Sequence, residues 1–255
     1  MSSHARIALL AMLLVGALSP ALAQKYATGD EVVAAMDARP APAAMISTMT
    51  MTIATASGQS LTREMQIWTA GEGDEELVKF TAPADIKGSG FLSVKAADGS
   101  TQSLVYLPAL DRVRRIAGSQ KQESFFGSDF SYEDISDLEG GTHADYDNVL
   151  VEIKPGPVYV VRSTAKPGAG AAYEQLVMEV PEATLLPSRV EFYRGGALLK
   201  VMTIDATTTV DGYLLPSRLR VHSQAGGTTT TIEQRDVQVE KTLPDEIFTE
   251  RFLRR

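Results

Sequence analysis

Apolar and polar side chains alternate with a period of two through most of this chain. From residue 45 to residue 53 the odd positions carry Met, Ser, Met, Met and Ile, whereas threonine occupies positions 48, 50 and 52. A period of two places the apolar side chains on one face of a β-strand. A Ser-Gly-Gln turn at 57–59 leads into a second run, in which Leu61, Met65 and Ile67 alternate with polar residues. The two runs predict an antiparallel hairpin with one buried face.

The same alternation predicts a meander of further strands. Strand-like runs occur at residues 76–80, 91–95, 103–107, 112–116, 149–153, 158–162 and 175–180. A Leu-Pro-Ser-Arg motif begins two more strands, at 186–192 and 215–221, and each is followed by a Gly-Gly turn and a returning strand. We interpret the repeat as two similar hairpins of one continuous, curling antiparallel sheet, although Pro-Ser is also a common way to begin a strand.

Two short helices are predicted near the ends of the chain. Val32, Val33 and Met36 lie on one helical face in residues 30–38, where Asp30 is the candidate N-cap and two prolines, at 40 and 42, end the helix. Residues 243–253 predict a short closing helix. Because the sequence predicts so little helix, the apolar inner face of the sheet must be covered by something other than helices.

Methionines concentrate on the face that the first two strands bury. Because flexible thioether side chains adapt to ligands of varied shape, a Met-rich concave face suits an acyl chain. Ordinary core packing would produce the same pattern. The predicted wall of a lipid cavity consists of Met45, Met49, Met51, Ile53, Met65 and Ile67.

Three arginines follow the strand that ends near Leu107. Arg112 and Arg114 are two residues apart and share one face of a strand, with Arg115 on the opposite face. They are candidates for contact with an anionic head group or an acidic partner. An edge strand with protective charges would look the same.

An aromatic and acidic segment comes next. Ser131 and Asp134 fit a capping box that begins a short helix through Leu138. The aromatic side chains around it would anchor a lid or rim over the mouth of the sheet, with Gly127 as a hinge. These side chains are Phe125, Phe126, Phe130 and Tyr132. The acids at 129, 133, 134 and 137 lack the spacing of an EF-hand loop, so we predict no metal site.

Catalytic motifs are scarce. The chain has no cysteine, and His143 and His222 are the only histidines after residue 23. A Ser-His-Asp arrangement with His143 and Asp145 stays open, but no Gly-x-Ser-x-Gly motif presents a serine. We predict that the protein is not an enzyme and needs no cofactor.

Residues 1–23 read as a signal peptide. An apolar run at 7–18 precedes Ala-Leu-Ala at 21–23, and the run is shorter than the roughly 20 residues of a membrane span. The sequence thus predicts a single domain at 24–255, exported to the periplasm and not membrane-spanning. That part contains 23 Lys and Arg against 32 Asp and Glu, a net charge of −9, which argues against nucleic acid as a partner.

Three motifs in fixed order carry a family resemblance. They are FTAPADIKGSGFL at 80–92, YLPALDRVRRI at 106–116 and SFFGSDFSYED at 124–134. Together they resemble the outer membrane lipoprotein-sorting protein family, the LolA-like periplasmic proteins often encoded beside RND/MMPL-type exporters. The resemblance implies a mainly β fold, an incomplete antiparallel β-barrel of about eleven strands closed by a few short helices over a hydrophobic cavity that holds acyl chains.

Two functions are compatible with this sequence. The first is a periplasmic carrier of lipid or lipoprotein, which would bury acyl chains in the cavity. The alternative is an accessory subunit of an RND/MMPL-type inner-membrane exporter, which would act mainly through protein contacts. The carrier is the primary prediction.

Overall fold

The computed structural model describes residues 24–96, 99–137 and 143–255. The predicted signal peptide and Leu138, the predicted end of the second helix, lie outside these residues. None of the helices in the described part has the length and hydropathy needed to cross a bilayer.

Thirteen antiparallel strands form one continuous sheet in the described part of the chain. They are β1 (Ala44–Ala54), β2 (Ser60–Ala70), β3 (Glu75–Ala82), β4 (Gly90–Lys95), β5 (Thr101–Leu107), β6 (Arg112–Ile116), β7 (Tyr146–Lys154), β8 (Val158–Ala165), β9 (Gln175–Pro181), β10 (Arg189–Arg194), β11 (Ala197–Val210), β12 (Tyr213–Ser223) and β13 (Thr229–Glu240).

The order of the strands joins two meanders. It runs β6-β5-β4-β3-β2-β1-β13-β12-β11-β10-β9-β8-β7, so the first strand pairs with the last, and β6 and β7 are the two edges. Because the edges do not pair, the barrel is incomplete, as predicted. The described part of the sheet has thirteen strands, two more than the family resemblance implied, and the two Leu-Pro-Ser-Arg hairpins are β10–β11 and β12–β13.

The local predictions for these hairpins are confirmed. Gly195 and Gly196 connect β10 to β11 with φ values of +59° and +73°, a conformation that two-residue hairpin turns favour and that glycine adopts without strain. In β1 the odd positions from 45 to 53 are buried and the even positions are half-buried. The prediction that Leu61 is buried with them is wrong: its side chain is 42% exposed, because the first residues of β2 extend beyond the packed core.

The first helix, α1 (Gly29–Asp37), has a different cap from the predicted one. Thr28, not Asp30, is the N-cap, because Thr28 forms a capping box with Glu31. The Thr28 hydroxyl accepts from the Glu31 backbone N–H at 3.2 Å, and the Glu31 carboxylate accepts from the Thr28 backbone N–H at 3.2 Å. The buried face of α1 is the predicted one: the helix lies on β7 and β8, and its apolar side chains belong to a core cluster with Tyr159 and Val161 of β8.

The predicted closing helix consists of two short pieces. A 3₁₀ turn (Asp245–Phe248) precedes α3 (Glu250–Leu253). Ile247, Phe248 and Leu253 pack with Leu77 and Leu104 on the outer face of the sheet. The Lys79 ammonium donates to the Leu253 carbonyl at 2.6 Å and so satisfies one of the carbonyls at the C-terminal end of the helix.

The described part of the chain between β6 and β7 lies over the concave face of the sheet. We call its described residues, 117–137 and 143–145, the crossing segment. It contains α2 (Tyr132–Asp137). The predicted capping box is present: the Ser131 N–H donates to the Asp134 carboxylate at 2.5 Å, and the Asp134 N–H donates to the Ser131 hydroxyl at 3.1 Å.

Candidate functional site

A cavity of about 950 Å³ lies on the concave face of the sheet. Its floor is made by apolar side chains from four neighbouring strands, β9 to β12. Six of them are Leu176, Met178, Val190, Met202, Leu215 and Leu219. The described residues of the crossing segment that line it include Phe130, Glu133 and Asp134.

The register of the strands explains this floor. Met178 lies opposite Val190, Val190 opposite Met202, and Met202 opposite Val221, so four apolar side chains form one row across four strands. Opposite residues in antiparallel strands point to the same face. The period-two pattern of each strand therefore becomes a continuous apolar surface.

The rim of the cavity is charged. Glu72, Asp74 and Arg115 line it and are exposed. Farther along, His143 lies 3.0 Å from the Asp37 carboxylate, which connects the end of the crossing segment to α1. Both signs of charge are present, so the rim is polar without a single dominant sign.

The six residues of the predicted lipid wall lie in a different part of the sheet. Each is at most 9% exposed, and none of the six is among the residues that line the large cavity. All but Met45 belong to a core cluster that also contains Phe80, Phe91 and Phe125. Met49 borders a separate recess of only about 20 Å³. Their contact with a lipid stays a prediction.

Aromatic side chains of the crossing segment fill the concavity at that wall. The Phe125 ring centroid lies 5.6 Å from that of Phe91 and 5.5 Å from that of Tyr132, both in edge-to-face geometry. Phe125 and Phe130 are each 1% exposed, and Tyr132 is 6% exposed. Of the four predicted lid residues, Phe130 lines the cavity.

Phe126 has a left-handed backbone conformation, with φ at +48°. Such a conformation is uncommon for a bulky residue. The Phe126 carbonyl accepts a hydrogen bond from the Arg63 guanidinium of β2, and burial lowers the pKa of Arg63. Gly127, the predicted hinge, follows with φ at +81°.

The three predicted arginines lie on the edge strand β6. Arg112 and Arg114 pair with Leu107 and Val105, which places them on one face, and Arg115 has the opposite parity, as expected. Arg112 is exposed, and the Arg114 guanidinium lies 3.3 Å from the Glu123 carboxylate. Arg115 lines the rim of the cavity.

The acidic residues of the crossing segment bind the sheet. The Asp129 carboxylate accepts from the hydroxyls of Thr228 and Thr230, the latter at 2.7 Å. The Asp134 carboxylate pairs with the Lys200 ammonium of β11. Among the described residues, no group of His, Asp and Glu side chains is arranged to hold a metal ion.

Lys200 and Tyr173 are site residues that the sequence predictions missed. The Lys200 side chain is 10% exposed, and its ammonium lies 5.3 Å from the Tyr173 ring centroid and 5.2 Å from that of Phe192. The Tyr173 hydroxyl donates to Asp134 at 2.7 Å. One signal was available: Lys200 interrupts an apolar period-two run in which Met202 and Ile204 follow.

Two groups at this site, one phenol and one carboxyl, have shifted pKa values. Burial, followed by the neighbouring Asp134 carboxylate, raises the pKa of Tyr173, so its hydroxyl remains a proton donor. Burial also raises the pKa of the Glu133 carboxyl, and the Lys121 ammonium partly opposes this.

Known proteins resemble this chain in sequence and in fold. A family model described as "uncharacterized protein-like" matches residues 72–255. None of the curated proteins matches the sequence. The crystal structure of an outer membrane lipoprotein-sorting protein domain from Vibrio parahaemolyticus is similar, with 30% identity and a TM-score of 0.78, over 89% of this chain and 98% of that one.

Two further structures share the fold. A DUF1329 family protein from Desulfovibrio piger is 29% identical, with a TM-score of 0.79, over 88% of this chain and 97% of that one. A LolA superfamily protein from Nitrosomonas europaea is 20% identical, with a TM-score of 0.69, over 89% of this chain and 100% of that one. The fold is thus a LolA-like incomplete barrel.

Proposed function

This chain belongs to the outer membrane lipoprotein-sorting protein family, and from that premise we propose that it is a periplasmic carrier that binds the acyl chains of a lipid or lipoprotein in the cavity under the crossing segment. The similar structures are lipoprotein-sorting and LolA-type proteins, which favours a carrier over an enzyme. The apolar run at the N-terminus favours export to the periplasm.

The cavity is the single observation that carries this proposal. At about 950 Å³ it is at the upper end of the range of roughly 300–1,000 Å³ for ligand pockets. Its floor is a row of apolar side chains with a charged rim, an arrangement that suits a molecule with an apolar chain and a polar end. Each methylene group removed from water contributes about 0.8 kcal/mol.

The predicted site residues have distinct parts in this proposal. Phe130 contacts the acyl chain as part of the cavity wall, and Arg115 lies near the head group at the rim. The Met-rich wall of β1 and β2 contacts lipid only when the Phe125 and Phe126 rings move out of the concavity. In that arrangement the crossing segment covers the bound ligand.

Native mass spectrometry with lipid extraction tests the carrier proposal. The protein, produced in a bacterial periplasm, is expected to carry an acyl species. Ile204→Glu places a carboxylate in the cavity and should abolish that species, because a buried unpaired charge is incompatible with an apolar ligand. Thr207→Glu adds the same charge at an exposed position of β11 and should leave it.

An empty, folded protein that also binds no added lipid would overturn the carrier. The favoured function would then be the second candidate, an accessory subunit of an RND/MMPL-type exporter. It is favoured by the edge strand β6, where exposed Arg112 follows a turn that contains Leu110, 67% exposed. Capture of a membrane exporter by the protein, and its loss in Arg112→Glu, would identify this function.

A further inference from the structure

Lys200 is a buried charge on an apolar surface. On the inner face of β11 it precedes Met202 and Ile204. It lies opposite Phe192 of the neighbouring strand β10. Burying an ion pair seldom stabilises a protein more than apolar side chains of the same size would. The cluster around Lys200 therefore calls for a role beyond stability.

The groups around Lys200 form a binding site for one carboxylate. The Asp134 carboxylate now occupies it and accepts from the Lys200 ammonium, from the Tyr173 hydroxyl at 2.7 Å and from the Ser131 backbone N–H at 2.5 Å. A cation and a hydroxyl donor aimed at two carboxylate oxygens are a strong, charge-assisted arrangement.

The site and its present occupant come from different parts of the fold. Lys200 lies on β11 and Tyr173 lies two residues before the start of β9, whereas Asp134 belongs to the crossing segment. All three line the cavity. The Lys200 ammonium also donates to the Asp129 carbonyl at 3.2 Å.

We propose that Lys200 and Tyr173 bind the carboxylate of an acyl chain that ends in a free carboxylate, and that this ligand displaces Asp134 from them. The exchange replaces one carboxylate by another, so Lys200 keeps a counter-ion throughout. Met202 and Ile204, two and four residues after Lys200 on β11, lie on the same face and contact the acyl chain. This rests on the proposed carrier function and names its ligand class, a fatty-acid-type anion.

Paired ligands test the carboxylate site separately from the cavity. Oleate and oleyl alcohol have the same chain and differ in the head group. Calorimetric titration of the delipidated protein is expected to show oleate binding about tenfold tighter, the effect of a charge-assisted hydrogen bond. Asp134→Asn removes the competing carboxylate and should raise the affinity for oleate alone, by about threefold or more.

Two variants make the test specific. Lys200→Met combined with Asp134→Asn removes the cation without leaving a lone buried charge, and should abolish the preference for oleate, because a carboxylate without a cation loses more on leaving water than an alcohol does. Glu123→Gln is the matched control, because it removes a carboxylate of the same segment that pairs with Arg114 and does not line the cavity. It should leave the oleate preference unchanged.

The outcomes separate the two proposals. Equal binding of oleate and oleyl alcohol by the unaltered protein would overturn the carboxylate site and leave the carrier intact. An oleate preference that persists in the double variant would also overturn it. Binding of neither ligand would overturn the carrier function and the carboxylate site together.

Discussion

The two halves of this sheet have the same apolar inner face and different contents. Over β1 to β6 the rings of Phe125 and Phe130 fill the concavity, and Phe80 and Phe91 from the sheet complete a closed core. Over β9 to β12 a cavity of about 950 Å³ remains, and Met202 on its floor is only half-buried. The first half is a closed core, whereas the second half contains the core packed with α1 and, beside it, the cavity.

The difference shows that an apolar face does not determine what covers it. The Met-rich strands and the cavity strands both alternate with a period of two. What separates them is a segment outside the sheet, whose three phenylalanines lie within six residues. Because those rings bury against β2 to β5, the volume left for a ligand lies beside them and not beneath them.

The largest expected effect is the loss of a ring from the filled half. Phe125→Ala should lower the free energy of unfolding by about 4 kcal/mol, because it leaves a cavity in a packed core. Phe192→Ala, at the half-buried wall of the cavity, should cost about half as much. Urea unfolding of both variants measures this. Equal costs would contradict the contrast between the halves.

The same enlargement in both halves gives an intermediate effect. Val78→Phe overpacks the filled half and should destabilise the protein by about 2 kcal/mol. Val190→Phe extends a ring into the cavity, so its cost should stay below about 1 kcal/mol, while the binding of oleyl alcohol weakens. Thermal unfolding and titration of the two variants provide the readouts. Intact binding in Val190→Phe would place the ligand elsewhere.

The smallest expected effect is a pH dependence over the cavity half. Burial raises the pKa of Glu133, so the folded protein holds this proton to a higher pH than the unfolded chain does. The contribution of Glu133 to the free energy of unfolding therefore falls as the pH rises from the ordinary glutamate pKa through the raised pKa of the folded protein. Glu133→Gln should remove that fall, a gain below about 1 kcal/mol at pH 7 because the group is partly solvated.

Urea unfolding at several pH values follows this effect. Glu123→Gln, at an exposed position of the same segment, is the control for the change of charge. A pH profile that Glu133→Gln leaves unchanged, or that both variants change equally, would contradict an effect of burial.

Local chemistry made much of the fold predictable. The period-two runs, the Gly-Gly turns and the Ser131 capping box each depend on residues close in sequence, and the structure contains all of them. Asp30 was predicted as the helix cap in place of Thr28 because two capping residues stand two positions apart, and only the reach of Glu31 decides between them. Leu61 has the right period but lies past the end of the core.

By itself, the sequence determined the strands, their inner faces and, through three motifs, the LolA-like fold. Tertiary structure alone decided which half of the sheet stays open and that Lys200 meets Asp134, 66 residues away in the chain. Both depend on the pairing of β1 with β13 and on the path of the crossing segment. Such contacts join residues that local periodicity cannot relate, because side-chain period reports the face of a strand and not the group that packs on it.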